Sequence, residues 1–337
     1  FARSAVSAGR EGCDIRVATK EVMQDSGAAG GGLPLEGAVL IAGPTASGKS
    51  ALALKVARAM GGAIVNADSM QVYDVLSVLT ARPGEDDLRQ APHHLYGHVH
   101  PSMPYSTGEW ARDVAKLAAS GSLAGRRPIF VGGTGLYFRA LLGGLAGMPD
   151  IPSATRDFWR DRLTRDGAAR LHAILAERDP DTAIGLRPRD GQRIARALEV
   201  LDASGRSIRH WQSQVSAPLV DPATATRFVI DIDRALLHQR INERVERMVE
   251  QGAIEEVRRI RALGLDPALP AVKAIGVPEF GAFLDGTSGL AESVSKVQAA
   301  TRQYAKRQLT WFRNQLGAEW TRLAAGNDVP ELNLAKE

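Results

Sequence analysis

Residues 43–50 constrain the fold of this chain more than any other part of its sequence. The stretch reads GPTASGKS and fits the pattern G-x-x-x-x-G-K-[ST]. It follows an apolar run at residues 39–41 and precedes a helix-like apolar pattern that begins at Leu52. This order of strand, glycine-rich loop and helix is typical of phosphate-binding loops in parallel α/β proteins. The alternative, a chance glycine-rich turn, would not require that order.

The residue types of this loop favour a di- or triphosphate ligand. Glycines let backbone amides curl around an oxyanion, the new helix points its positive end at it, and Lys49 adds a positive charge. The hydroxyl of Ser50 can ligate Mg²⁺, so we expect that ion as a cofactor. ATP binding is typical of the same motif, and its role here stays open. The predicted diphosphate-binding residues are Gly43, Pro44, Thr45, Ala46, Ser47, Gly48, Lys49 and Ser50.

Short apolar runs alternate with helical patterns along much of the chain. The runs at residues 38–42, 63–67, 129–131 and 228–232 predict parallel strands covered on both faces. Residues 143–211 and 236–316 have helical spacing instead. The predicted fold class is therefore α/β, a parallel-sheet core with a helical insertion domain and a helical C-terminal region. The predicted boundaries are residues 1–34 for a flexible leader, 35–142 for the first part of the core, 143–211 for the insertion, 212–325 for the second part of the core with basic C-terminal helices, and 326–337 for a tail.

Composition limits the classes of protein to which the chain can belong. Cys13 is the only cysteine among 337 residues, which excludes disulfides within the chain and cysteine-rich zinc sites. Lysine and arginine exceed aspartate and glutamate by 42 to 38, so a polyanionic partner is permitted but not required. No apolar run approaches the roughly 18 to 20 residues that span a bilayer. We expect a cytoplasmic protein without a membrane anchor, and a monomer.

Asp68 is the best candidate for a catalytic carboxylate. It follows the second predicted strand, and ligands bind at the carboxyl ends of the strands in parallel sheets. The later strand at residues 129–131 ends in Gly-Gly-Thr-Gly and so offers amides and the Thr134 hydroxyl instead of a carboxylate. A general base is one interpretation of Asp68, and the N-cap of a helix is the other.

Eight stretches, taken together, resemble the tRNA dimethylallyltransferases, also called isopentenyl transferases. They occur in that family's order over residues 38–320. The cysteine/histidine zinc finger of the family's eukaryotic members has no counterpart in the sequence, so we expect an enzyme of the bacterial type. The matching stretches are GPTASGKS at 43–50, NADSMQVY at 66–73, TARP at 80–83, APHH at 91–94, VGGTGLY at 131–137, QRIARALEV at 192–200, KAIGVPE at 273–279 and KRQLTWFR at 306–313.

The resemblance implies roles for particular residues. Asp68 resembles the family's general base for the adenine amine, Thr45 and Lys49 its diphosphate contacts, and Arg244 its second cationic clamp on the diphosphate. Val78-Leu79 and Val277 depart from the usual family pattern, which leaves the detail of the tRNA contact open. The implied tRNA contacts are Asp68, Ser69, Met70, Gln71, Thr134, Arg156, Gln192, Arg193, Ile194, Ala195, Arg196, Lys273, Gly276, Lys306, Arg307 and Arg313.

A basic helix near the carboxyl end agrees with an RNA partner. Residues 296–313 contain five basic residues and no acids, and Arg302, Lys306 and Arg313 fall on one helical face. An ordinary solvated face is the alternative, and it applies equally to Arg193 and Arg196. The adjacent histidines at 93 and 94 favour loop or core hydrogen bonds over a metal site, since no second ligand pair lies at zinc spacing.

The expected reaction moves a dimethylallyl group from dimethylallyl diphosphate to the exocyclic amine of the adenosine next to the anticodon, on its 3′ side, and releases diphosphate. Two alternatives remain at this stage. A small-molecule kinase would share the phosphate loop and an early-strand aspartate, and a nucleotide-dependent RNA-binding protein would bind tRNA without modifying it.

Overall fold

The computed structural model describes residues 34–326. The predicted leader and tail fall outside that range except for residues 34 and 326, so both assignments stay predictions. Within it, six parallel strands form one sheet in the order β3-β2-β4-β1-β5-β6. The strands are β1 Val39–Ala42, β2 Ala63–Asn66, β3 His93–His94, β4 Pro128–Gly132, β5 Thr226–Asp231 and β6 Thr321–Ala324.

Twelve helices accompany these strands in the described range. They are α1 Lys49–Met60, α2 Glu85–Gln90, α3 Thr107–Ala119, α4 Gly135–Gly143, α5 Ser153–Arg178, α6 Pro180–Ile184, α7 Gly191–Ser204, α8 Ile208–Gln212, α9 Arg234–Glu250, α10 Ala253–Ala262, α11 Val277–Leu284 and α12 Leu290–Gln315. Helix α5 is broken at Gly167, where φ is +79°. None of these helices combines the length and the apolar character that crossing a membrane requires.

Both faces of the sheet are buried, which confirms the predicted α/β class. Along β1, Leu40 belongs to one apolar cluster and Val39 and Ile41 belong to another. The first cluster joins the sheet to α3, α4 and α12, and the second joins it to α1. This alternation explains why the strands are continuous apolar runs in the sequence.

The central position of β1 places the predicted phosphate loop in the middle of the sheet edge. Strand β1 pairs with β4 on one side and with β5 on the other, with Val39 opposite both Ile129 and Thr226. The loop after β1 therefore lies beside the loop after β4. Ligands of open parallel sheets bind at such points.

Three further apolar clusters lie outside the sheet, and two of them are large. One is built from α9–α12 and the segment around Tyr73 and Leu76. The other draws all its members from residues 148–211, including Trp159, Leu171 and Leu198, and so belongs to α5–α8 alone. The helical character predicted for residues 143–211 is present, while their standing as a separate domain stays a prediction.

Candidate active site

The predicted phosphate loop has the backbone that its glycines imply. It begins after Ala42 and ends where α1 begins at Lys49. Gly48 has φ +92°, a backbone conformation that residues other than glycine rarely adopt. A Cβ on Gly43 would lie 2.8 Å from Ser47 Oγ, so the loop closes tightly on itself. All eight predicted diphosphate-binding residues lie on this one loop or on the first turn of α1.

Lys49 turns back over the loop. Its Nζ donates to the Pro44 carbonyl at 3.3 Å. Burial lowers the pKa of Lys49 to about 8, the Asp68 carboxylate opposes that shift, and Arg244 adds to it. The lowered pKa shows that the surroundings of Lys49 do not fully stabilise its positive charge. An anionic ligand in this loop would stabilise that charge and bind to the neighbouring backbone amides.

Helix α9 brings two arginines to the same loop. Arg244 Nη1 donates to Thr45 Oγ1 and its Nη2 donates to the Thr80 carbonyl, both at 3.3 Å. Burial lowers the pKa of Arg244 too, and the Asp68 carboxylate opposes that shift. Arg240, one helical turn earlier, donates to the Ser47 carbonyl at 3.5 Å. Arg240 was not predicted as a site residue, although its spacing of four from Arg244 places both arginines on one face of the helix.

Asp68 follows β2 in a turn, and no helix begins until α2. Its Oδ1 accepts from the Met70 amide at 3.0 Å, and its other carboxylate oxygen has no hydrogen-bond partner among residues 34–326. The helix N-cap interpretation is therefore wrong, since the side chain closes a two-residue turn instead. One carboxylate oxygen remains available to a ligand.

Asn66, which sequence analysis did not single out, fixes the backbone of Asp68. It is fully buried. Its Oδ1 accepts from the Asp68 amide at 2.8 Å, and its Nδ2 donates to the carbonyls of Asp68 and Leu95 at 2.9 and 3.0 Å. Trp110 Nε1 donates to the Asn66 carbonyl at 2.9 Å. The buried Asn66 amide thus binds both the main-chain N–H and the main-chain carbonyl of the candidate base.

The loop after β4 packs directly on the Asp68 segment. A Cβ on Gly132 would lie 1.9 Å from the Ala67 carbonyl oxygen, so only glycine fits there. Thr134 Oγ1 accepts from the Ser69 amide at 2.9 Å. Two predicted tRNA contacts, Ser69 and Thr134, therefore bond to each other.

Tyrosines surround Asp68. Burial raises the pKa of Tyr96, Tyr137 and Tyr304, and the Asp68 charge is the next cause for each of them. The Tyr137 ring stacks on Trp110 with centroids 4.1 Å apart and an interplanar angle of 14°. Tyr96 and Tyr304 are half-buried, so their rings keep accessible surface on which a base could stack.

The predicted tRNA contacts on α12 lie at the surface. Lys306, Arg307 and Arg313 are exposed, and no carboxylate within residues 34–326 pairs with them. Arg307 lies 5.7 Å from the centroid of the Tyr304 ring. Arg302 differs from its predicted neighbours, because its Nη1 donates to Asn242 Oδ1 of α9 at 2.6 Å.

Helix α7 shows two different faces. Arg193 and Arg196 reach its accessible side, where they pair with Asp190 at 3.5 Å and Glu199 at 3.3 Å. Ile194 and Ala195 are 0% and 4% exposed within the core of α5–α8. These two side chains pack inside the protein, so a tRNA contact at these positions stays a prediction for their backbone atoms only.

The remaining predicted tRNA contacts are scattered in exposure. Gln192 and Lys273 are exposed, and Met70 and Arg156 are half-buried. Gly276 is buried against Leu79 at the start of α11. The Gln71 side chain is engaged, because it donates to the Thr80 and Ala81 carbonyls at 2.9 and 3.0 Å.

Protein ligands for a metal are sparse. The described part of the chain has no group of three or more His, Cys, Asp or Glu side chains arranged to hold an ion. His93 Nδ1 lies 2.8 Å from the Ala91 carbonyl, as a loop hydrogen bond requires. Ser50 is exposed on the first turn of α1, beside Lys49.

Comparison with known proteins gives a consistent result. A family model described as IPP transferase matches residues 71–315, and one described as isopentenyl transferase matches residues 36–96. A tRNA dimethylallyltransferase of Mesorhizobium japonicum is 57% identical over 307 residues, which cover 91% of this chain and 95% of that protein. One from a Chelativorans species is 59% identical over 286 residues, 85% of this chain and 98% of that protein.

Two solved structures share the fold. The full-length tRNA isopentenylpyrophosphate transferase of Bacillus halodurans aligns with a TM-score of 0.62 and 32% identity, over 88% of this chain and 92% of that one. A eukaryotic dimethylallyltransferase captured acting on tRNA aligns with a TM-score of 0.72 and 25% identity, over 86% of this chain and 73% of that one.

Proposed function

This chain belongs to the family of tRNA dimethylallyltransferases, and from that premise we propose how its own residues carry out the transfer. The donor is dimethylallyl diphosphate, and the acceptor is the exocyclic amine of the adenosine on the 3′ side of the anticodon. The relatives carry the transferase name, so the kinase and the RNA-binding protein fit less well. The proposal is supported most directly by the Asp68 carboxylate, whose charge acts on both Lys49 and Arg244, the two cations that contact the phosphate loop.

The phosphate loop serves a leaving group in this reaction. The bond between the allylic carbon and the diphosphate oxygen breaks, and negative charge grows on the diphosphate. Lys49, Arg244 and the loop amides face that charge, and such fixed donors contribute several kcal/mol when they are preorganised. Arg240 adds a second guanidinium from the same face of α9.

The Thr45 hydroxyl donates a hydrogen bond to the diphosphate. Arg244 Nη1 already occupies one lone pair of Thr45 Oγ1, so the hydroxyl hydrogen points away from the guanidinium. The diphosphate is then the acceptor nearest to the loop. This hydrogen bond strengthens as the leaving group gains charge.

Asp68 takes the proton that the amine loses. A bond forms between the exocyclic nitrogen and the allylic carbon, and the nitrogen proton passes to the carboxylate oxygen that has no hydrogen-bond partner among residues 34–326. An aromatic amine is a weak nucleophile, so removal of its proton as the bond forms accelerates the attack. The adenine has to leave its stack to reach this position, and the tyrosines around Asp68 offer it a new one.

Mg²⁺ is the ion that we propose for a diphosphate substrate. The exposed Ser50 hydroxyl would offer it one hard oxygen ligand. When bound, the ion neutralises part of the charge on the diphosphate. We further propose that the enzyme acts as a cytoplasmic monomer, which light scattering on the purified chain would test.

Mass spectrometry of tRNA nucleosides tests the proposed reaction. The chain is incubated with dimethylallyl diphosphate, Mg²⁺ and unmodified tRNA, and the expected product is adenosine that carries one dimethylallyl group. A matched tRNA with guanosine at the position beside the anticodon should remain unmodified. Labelled phosphate transfer from ATP to a small acceptor would support the kinase, and tRNA binding without a modified nucleoside would support the RNA-binding protein.

A further inference from the structure

Gln308 lies inside the protein on a helix whose neighbouring cations face outward. It is 5% exposed, while Lys306, Arg307 and Arg313 on the same helix are exposed. Its Oε1 accepts from the Thr45 amide at 2.9 Å, and its Nε2 donates to the Gly133 carbonyl at 3.0 Å. One side chain of α12 thus bridges the loop after β1 and the loop after β4.

The two hydrogen bonds fix the orientation of this amide. Thr45 supplies a main-chain donor and Gly133 a main-chain acceptor. In a flipped amide, Nε2 would face the Thr45 N–H and Oε1 would face the Gly133 carbonyl, so neither hydrogen bond could form. The fit is close, because a Cβ on Gly133 would lie 2.1 Å from Gln308 Nε2. One turn later, Trp311 packs equally closely on Gly135, the first residue of α4, which follows the same loop.

Thr45 is therefore held at two points by two helices. The Gln308 amide of α12 binds its backbone, and the Arg244 guanidinium of α9 binds its side chain. The peptide N–H of Thr45 is consequently turned toward α12, and the hydroxyl alone is left to face the diphosphate.

We propose that Gln308 is a positioning residue, which sets the Thr45 segment of the diphosphate loop from the helix that carries the exposed basic residues. The inference rests on the proposed function and deepens it. Gln308 itself touches neither substrate. Its loss frees the Thr45 amide and the Gly133 carbonyl, and the Thr45 hydroxyl loses its fixed direction.

Gln308→Met tests this role, since it keeps the length of the side chain and removes both hydrogen bonds. Gln303→Met on an exposed part of the same helix is the matched control. We expect Gln308→Met to lower the single-turnover rate on pre-bound tRNA about tenfold or more, as the loss of one or two buried hydrogen bonds allows. Binding of the thiolodiphosphate analogue of the donor should weaken, and tRNA affinity should stay within about twofold of the parent.

A residue that merely supports the fold gives a different result. Its replacement would lower the melting temperature and leave the rate and the analogue affinity of the folded fraction at the values of the Gln303→Met control. That outcome would overturn the proposal. Failure of the parent to modify tRNA would count against the proposed function, and analogue binding would still decide the role of Gln308.

A double-mutant cycle keeps the test valid if Gln308→Met folds poorly. The methyl group of Gly133→Ala should displace the Gln308 amide and weaken analogue binding. In a Gln308→Ala background the same methyl group has space, so it should cost little more. Losses that multiply independently in the double variant would show that Gln308 does not act through the Gly133 loop, and would overturn the proposal as well.

Discussion

Asp68 combines two chemical tasks in one carboxylate. One oxygen closes a turn with the Met70 amide, and the other has no partner in the described part of the chain. Asp68→Asn separates the tasks, because the amide oxygen can still accept from Met70 but cannot take a proton. We expect turnover to fall about a hundredfold or more, the usual scale for loss of a general base. Single-turnover rates on pre-bound tRNA measure this loss.

Asp74→Asn is the matched control for that experiment. Asp74 is exposed on the same segment and has no side-chain hydrogen bond among residues 34–326. Diphosphate and tRNA affinities should be nearly unchanged in both variants, because the base acts mainly in the transition state. An Asp68→Asn rate within about threefold of the Asp74→Asn rate would reduce Asp68 to a structural role.

Lys49 gives the free enzyme a distinctive pH dependence. Burial lowers the pKa of Lys49 to about 8, so the ammonium loses its proton above that pH in the ligand-free site. The diphosphate binds the charged form, so its affinity should be constant below pH 8 and fall by up to about tenfold per pH unit above it. The terminal phosphate is ionised well below that range, near pH 6, and does not contribute.

Titration calorimetry with the thiolodiphosphate analogue between pH 7 and 9.5 measures this dependence. Lys49→Arg is the control, because a guanidinium stays protonated throughout and its affinity profile should be flat. A parental profile as flat as that of Lys49→Arg would show that Lys49 stays fully charged in the free enzyme.

At the scale of single residues, the sequence predicted the reacting groups better than the groups that hold them. Lys49 and Asp68 were predicted from the phosphate loop and the second strand, and Thr45 and Arg244 from the family resemblance. The structure brings the charges of Lys49, Asp68 and Arg244 together and bonds Arg244 to Thr45. Asn66, Arg240 and Gln308 act through contacts that only the fold creates. Gln308 and its partner Thr45 lie 263 positions apart, and no local sequence pattern predicts such a contact.

Helix α12 shows how one element serves two surfaces. Phe312 packs under the sheet and Gln308 reaches the loops, while Lys306 and Arg313 face outward. If both cations contact phosphates, Lys306→Ala with Arg313→Ala should reduce the slope of log tRNA affinity against log salt by about 1.4 to 1.8. Filter binding or fluorescence anisotropy over a salt series measures the slope.

A second pair of exposed arginines separates RNA contact from net charge. Arg258 and Arg259 lie on α10 and are not predicted to contact tRNA. Their double alanine variant removes the same charge and should keep the parental slope. Equal slopes for the two double variants would show that the cations of α12 face plain solvent.

The ion pairs of the two arginines on α7 predict that they contribute less to tRNA affinity than the cations of α12. Arg193 and Arg196 each already have a carboxylate neighbour, so an RNA phosphate would replace an existing partner. The burial of the Ile194 and Ala195 side chains, which were predicted as tRNA contacts, has a simple cause. A contiguous sequence block covers every side of a helix, while an RNA meets only one side.

Short elements escaped sequence analysis for physical reasons. Strands β1, β2, β4 and β5 were predicted because each is a run of buried apolar residues. Strand β6 has one buried residue in four, and β3 is two half-buried histidines. Edge strands with so little buried surface leave no apolar run to recognise.

At the scale of the whole molecule, α5–α8 are joined to the core by a narrow stem. Ala146 and Val215 pair in an antiparallel bridge, Gly147 N donates to the Gln214 carbonyl at 3.2 Å, and Ser216 N donates to the Leu145 carbonyl at 2.9 Å. The chain thus leaves the core and returns to it at one place. Sequence analysis predicted the insertion from its lack of strands, but a stem of this kind has no sequence signal.

This stem makes the predicted insertion domain testable by deletion. Replacement of residues 148–212 by a short Gly-Ser linker should leave a folded core, because the apolar cluster of α5–α8 uses no residue outside that stretch and closing a short loop costs little. The thiolodiphosphate analogue should bind within about threefold of the parent, since Lys49, Thr45 and Arg244 all lie outside the deletion. Affinity for tRNA should fall at least about tenfold, because the phosphate contacts proposed for Arg156, Arg193 and Arg196 are removed. Circular dichroism and analogue binding together measure the result, and a deletion variant that unfolds, or one that keeps parental tRNA affinity, would contradict a separate tRNA-gripping domain.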